Sequence, residues 1–330
     1  MQERPRALAF ITPKPWRGDL IAAGAVPLAV GLLAAELRLG WSKQATLAVT
    51  VVAAASLLGM ALLSPLEFAR PRSYQVVLLV TGLVLTLLAI FELANVLDAP
   101  RAAKTSAWMA ALFALIASGC AWWRNAWICT LLAALSWVAT LVALVDWLFA
   151  AGDRASVRYV LLGAVAALVL GSVLLRGGRP RHAAALVVAA GLAVVAIVVL
   201  LLIDRYAPRL LATYFSGRLE PSSARAGVAW GWELVVLAAG CGLVAFSGAD
   251  HERAPGYLGV VTLLGFVALV APVNRGGARS IVGWPLALLV IGGLAIASGL
   301  RPSRPLPPEP GGASDGDALP PIQLRPGDPS

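Results

Sequence analysis

The chain reads as an all-α, polytopic integral membrane protein of about ten transmembrane helices, with a parallel four-helix internal repeat as a further expectation. Three observations lead there. Long apolar runs cover almost everything between Leu20 and Leu300, and most approach the ~20 residues that a helix rising ~1.5 Å per residue needs to cross a ~30 Å hydrocarbon core. Hydrophobic residues make up 59% of the chain and charged residues only 13%, about half the share of a soluble domain, so lipid must cover most of the surface. The basic residues fall in small groups at the ends of the runs, as membrane topology requires, rather than along one polar face.

The spans follow in order from these runs. They are Leu20 to Leu37, Ala45 to Leu63, Tyr74 to Val96, Ser106 to Trp123, Ala126 to Phe149, Val157 to Leu175, His182 to Ile203, Gly227 to Phe246, Gly256 to Val273 and Ser280 to Leu300. A basic leader, residues 1–19, precedes the first. That span is too long for a signal h-region and lacks a small-x-small exit, so it reads as a retained helix. The bundle occupies residues 20–300. The tail, residues 301–330, holds nine prolines with Gly, Ser and Asp and reads as a disordered extension with little to bury.

Charge sets the expected orientation. With the N-terminus inside, fourteen of the 26 basic residues lie in cytoplasmic segments, and a strong basic leader adds to that bias. Both termini are therefore expected in the cytoplasm, in a cell membrane. Arg far outnumbers Lys and Ala is abundant, a usage associated with GC-rich bacterial genomes. The net charge of +9 does not imply nucleic acid, because no basic stripe exists to follow a phosphate backbone.

An internal repeat is expected from ordered matches. Ala69-Arg70-Pro71-Arg72 and Gly82 align with Gly178-Arg179-Pro180-Arg181 and Gly191, and Gly119-Cys120 aligns with Gly240-Cys241. Residues 45–150 would then be repeated as 157–273, and four helices per copy would keep both copies in one orientation. The bland alternative is that Ala/Leu/Val-rich helices align by composition.

Motifs that carry chemistry are scarce, and no catalytic residue, cofactor site or metal site is expected. The two histidines, His182 and His251, lack a second ligand at helical spacing. Cys120, Cys129 and Cys241 read as small packing residues. No phosphate loop or nucleophile elbow occurs. The tryptophans near span ends read as interfacial anchors.

What remains is an asymmetry of acids. Glu36, Glu92, Asp98, Asp146, Asp204 and Glu233 all fall toward the expected outer side. Glu36, Asp146 and Asp204 lie at span ends, where a carboxylate reaches headgroups or an Arg. Glu233 is expected about seven residues inside its span, where it must face the bundle or water. Glu92, Asn95 and Asp98 follow at i, i+3 and i+6 and cover a broad polar face. With Glu233 they form the candidate polar pocket; the alternative is a structural network that sets helix register. The loop from Arg205 to Arg225 carries Leu210, Leu211, Tyr214 and Phe215 on one stripe, as a short interfacial helix would.

Two functions fit. One is a secondary carrier or permease-like protein for a small polar solute or cation. The other is a non-catalytic membrane scaffold or accessory subunit, whose protein partners the sequence does not name. Several small-molecule transporter groups also have ten spans, an analogy of count alone.

Overall fold

The computed structural model describes residues 18–39, 41–64, 72–149, 154–216, 230–250 and 252–270. All their regular structure is α-helical, in nine helices: α1 (Gly18–Leu39), α2 (Lys43–Leu63), α3 (Ser73–Val96), α4 (Ala103–Arg124), α5 (Trp127–Phe149), α6 (Arg154–Leu175), α7 (Pro180–Ser216), α8 (Trp230–Asp250) and α9 (Arg253–Val270). From α2 to α9, all eight are long and apolar enough to cross a membrane; the apolar part of α1, Ile21–Glu36, is shorter. Large apolar side chains such as Leu170, Leu174 and Leu264 stand exposed, which suits a surface covered by lipid rather than water. Residues 1–17 of the leader, the tenth span and the tail lie outside the described residues, and the last two residues of the leader belong to α1.

Local signals explain the helix ends. Ser42 caps α2, its hydroxyl accepting from the Ala45 N–H at 3.3 Å. Gln75 Oε1 accepts from the Arg72 N–H at 3.1 Å and closes the first turn of α3. Asn125 ends α4 with φ 52° and ψ 37°, a left-handed geometry that asparagine tolerates better than most residues.

Consecutive helices joined by short loops pack as antiparallel pairs: α2 with α3, α4 with α5, α6 with α7 and α8 with α9. Two helices act as hubs. Helix α3 touches α1, α2, α4 and α5, while α7 touches α5, α6, α8 and α9. These two have the most buried spans, half of each being enclosed. Helix α5 links the halves by packing on both α6 and α7. Close approach needs glycine at two crossings. A Cβ on Gly82 would meet Leu58 at 2.8 Å, and one on Gly259 would meet the Gly240 carbonyl and the Val244 nitrogen at 2.9 Å. The glycines matched by the repeat, Gly82 and Gly191, have different neighbours: Leu58 of α2 for the first, Leu243 and Leu258 of α8 and α9 for the second.

Two expectations change. The segment after Asp204 is no loop with a separate interfacial helix, because α7 runs on without interruption to Ser216. Its 37 residues extend about 55 Å at ~1.5 Å per residue, well beyond one bilayer core. Helix α8 begins at Trp230, so Glu233 sits in its first turn. A carboxylate there lies beside the positive end of the helix dipole.

Candidate functional site

The alternation of helix direction defines two ends of the bundle. Lys43, Asp98, Lys104, Asp146, Asp204 and Glu233 share one, the Asp98 end. Arg124, Arg176, Arg179 and His182 share the other, the His182 end. Cross-chain contacts respect this division throughout.

At the Asp98 end the expected pocket residues fall into two groups. Asn95 Nδ2 donates to Glu92 Oε1 at 3.3 Å, and Lys43 Nζ donates to the Asn95 carbonyl at 3.1 Å and to Asp98 Oδ1 at 2.7 Å. Glu36 of α1 lies beside the Glu92 carboxyl. The Lys43 ammonium holds the Asp98 carboxyl below its ordinary pKa by hydrogen bonding and charge. Glu233 is elsewhere: the charge acting on it is Arg205, and among the described residues α8 does not touch α3. It belongs to a second group in which Arg158 meets Asp204 at 3.3 Å and faces the Trp232 ring, and Arg205 donates to the Leu269 carbonyl. Glu92, Asn95 and Asp98 are thus brought together, and Glu233 is not brought to them.

A cavity of about 1160 Å³ lies beside the first group, walled by α3, α4, α5, α6 and α7. It reaches from the loop at Pro100 and Arg101 down to Leu192, Ala193 and Ala196 at mid-depth of α7. Of the expected pocket residues it takes in Asn95, and it adds Arg101, Thr105, Ser106 and Asp146. Thr105 is committed to the Pro100 carbonyl at 2.7 Å. Arg101 and Asp146, by contrast, form no ion pair or side-chain hydrogen bond among the described residues, although both line the same space. Asp146 is half-buried and stands in the last turn of α5, at the negative end of its dipole.

A second cavity, about 720 Å³, enters from the opposite end between α6, α7 and α8. Its mouth carries Arg176, Arg181, Asp250 and Glu252, and it ends against Ala190, Gly191 and Val194 of α7. Arg176 is bonded to Asp250 across that mouth. One segment of α7, residues 190–196, therefore separates the two cavities, presenting Ala190 to one and Ala193 to the other.

The His182 end is tied more tightly. Arg124 is 4% exposed and donates to the Ala61 and Ser64 carbonyls at the C-terminal end of α2. His182, also buried, contacts Asn125 Oδ1 through Nε2 at 2.6 Å and the Thr130 hydroxyl through Nδ1. That geometry suits an imidazole carrying its proton on Nε2.

Sequence reasoning treated Asp146 as an ordinary span-end acid and His182 only as a ligand candidate. The one legible sign for Asp146 was an acid at the C-terminal end of an apolar run. No group of three or more His, Cys, Asp or Glu residues able to hold a metal occurs among the described residues. The chain matches no protein-family model, no curated protein and no solved structure.

Proposed function

We propose that the protein is a permease-like secondary carrier that takes a small polar solute or cation through the cell membrane. One observation carries the reading: two cavities approach from opposite ends and stop at the same segment of α7, with Ala190 on one side and Ala193 on the other. A thin septum between facing cavities suits alternating access, in which packed helices rock about a central site. The candidate solute site is the larger cavity, with Asn95, Arg101 and Asp146 at its polar end. Glu92 and Asp98 lie next to its lining residues without being part of them, and Glu233 lies with Arg205 in the second group.

The same proposal includes ten spans, both termini in the cytoplasm, and duplication of residues 45–150 as 157–273. The antiparallel pairs recur in the order the repeat requires, and the hubs α3 and α7 are the matched helices. The different neighbours of Gly82 and Gly191 mean that any common ancestor has since repacked. A reporter fused after Leu300 that works only when exported should be inactive.

Thiol labelling tests the carrier directly. In a background with Cys120, Cys129 and Cys241 replaced by Ala, an impermeant maleimide should reach Ala193→Cys only from the Asp98 side. Ala190→Cys should be reached only from the other side. Ala193→Trp should stop flux in proteoliposomes screened with polar solutes and monovalent cations. The scaffold reading draws on the lack of polar side chains at the septum; absence of flux for every solute, with labelling rates that no solute changes, would overturn the carrier and favour it instead.

A further inference from the structure

We infer that the larger cavity binds a small zwitterion with an apolar body, its cationic group against Asp146 and its anionic group toward Arg101. This rests on the site assigned above and names its ligand class. Three features combine. First, two side chains of opposite charge line one cavity without pairing with each other or with any described protein group. Each is thereby left able to form charge-assisted bonds to a ligand, which are about twice as strong as neutral ones.

Second, the two charges stand at one level. Helices α4 and α5 form an antiparallel pair, and Lys104 Nζ lies 5.7 Å from the Trp147 ring centre. This brings the start of α4, just after Arg101, alongside the end of α5, where Asp146 sits. A ligand spanning both groups therefore lies across the cavity mouth rather than along its depth. Asp146 stands at the negative end of the α5 dipole, where a cation beside it is favoured. Ala102, before the first residue of α4, offers no side-chain cap, so the first N–H groups of α4 supplement Arg101 on the anionic side.

Third, below the charged mouth the walls are apolar, formed by Phe91, Leu135, Val138, Val142, Leu161 and Leu192. A bare ion would gain nothing from that surface. An ammonium and an anionic group on a short aliphatic or aromatic body would use the charged mouth and the apolar walls together.

The same chemistry occurs in free amino acids, betaines and phosphoethanolamine, and in zwitterionic lipid headgroups. The test uses the full chain in phosphatidylglycerol nanodiscs, which contain no zwitterionic lipid. Binding is measured for leucine, phenylalanine, glycine betaine and phosphoethanolamine, with leucinamide as the cation-only probe and N-acetylleucine as the anion-only probe.

At least one zwitterion should bind, and about tenfold or more tightly than its singly charged analogues. Asp146→Asn should weaken that zwitterion about tenfold and remove its advantage over the anion-only probe; Arg101→Gln should do so against the cation-only probe. Neither variant should alter the melting temperature, because neither side chain holds another part of the protein. Loss of binding when phosphatidylethanolamine replaces phosphatidylglycerol would identify the headgroup as the occupant, with the same chemistry. The inference is overturned if no zwitterion binds, if singly charged analogues bind equally well, or if the two variants leave selectivity intact. If flux persists and each cysteine is still labelled from its own side in that case, the carrier reading stands and only the ligand class falls.

Discussion

The two ends of the bundle handle charge in opposite ways. At the His182 end, Arg124 is buried against the carbonyls that finish α2, and His182 is satisfied on both ring nitrogens by residues of the α4–α5 turn and of α5. At the Asp98 end, the Lys43–Asp98 pair is largely exposed, with side chains 59% and 82% accessible, and Arg101 and Asp146 line a cavity unpaired among the described residues. There are exceptions at each end: Arg158 with Asp204 and Arg205 with the Leu269 carbonyl are part-buried at the Asp98 end, and Arg176 of the Arg176–Asp250 pair is exposed at the other. The difference separates two uses of a charged side chain near a membrane surface. Paired with backbone carbonyls and enclosed, it locks helices together; left unpaired in a cavity, it is available to a ligand.

The sharpest way to break that comparison is to cut the lock. Arg124→Ala should cost about 3 kcal/mol of stability, since it strands two carbonyls in a buried site and removes packing. The readout is the midpoint of thermal unfolding in detergent, and a loss below ~0.5 kcal/mol would show that the His182 end is no tighter than the other. Arg124→Lys should recover part of the stability but not all, because an ammonium lacks the planar fork that spans both acceptors.

His182→Ala comes next, at about 1 to 2 kcal/mol, from the lost bonds to Asn125 and Thr130. The turn after α4 should then exchange its amide hydrogens faster, with Asn125 no longer held at its side chain. Unchanged exchange around Asn125 would mean that its left-handed conformation is set by the backbone alone.

At the opposite end the expectation is null. Asp146→Asn and Arg101→Gln should leave unfolding unchanged, and a large loss from either would show that these charges hold the fold rather than await a ligand. The smallest effect belongs to Lys43→Met. Because Lys43 depresses the Asp98 pKa, the pair contributes fully above the unfolded value near ~4 and loses its contribution as pH falls through the folded value. The difference between wild type and Lys43→Met should therefore be confined to higher pH and vanish under strong acid. With both groups so exposed, screening by salt should shrink it further. A difference that grew on acidification would reverse the assigned sign.

Particular residues show where the sequence was legible. The runs from Ala45 to Leu63 and from Tyr74 to Val96 become α2 and α3 within two residues of their expected ends, because twenty apolar residues bounded by Ser, Arg or Asp have few alternatives to a helix. The i, i+3, i+6 spacing likewise gathered Glu92, Asn95 and Asp98 at the end of α3, with Asp98 just past its last residue: Asn95 bonds Glu92, and Lys43 bonds the Asn95 carbonyl and Asp98. Glu233 is not brought to them, because α8 does not touch α3 among the described residues, and helix adjacency is a three-dimensional property that hydropathy does not encode.

By itself the sequence determined the helical, membrane-length spans of the described residues and the placing of Glu36, Glu92, Asp98, Asp146, Asp204 and Glu233 toward one end, since both follow from local composition and alternation of direction. Only the tertiary structure decided which charges pair. Arg124 and Asp146 are each a lone charge near the end of an apolar run, yet one is enclosed by carbonyls of α2 and the other faces a cavity of about 1160 Å³. The outcome depends on which helix packs alongside, and that is settled by side-chain fit and glycine crossings such as Gly82 on Leu58 and Gly259 on Gly240. These are contacts between residues far apart in the chain.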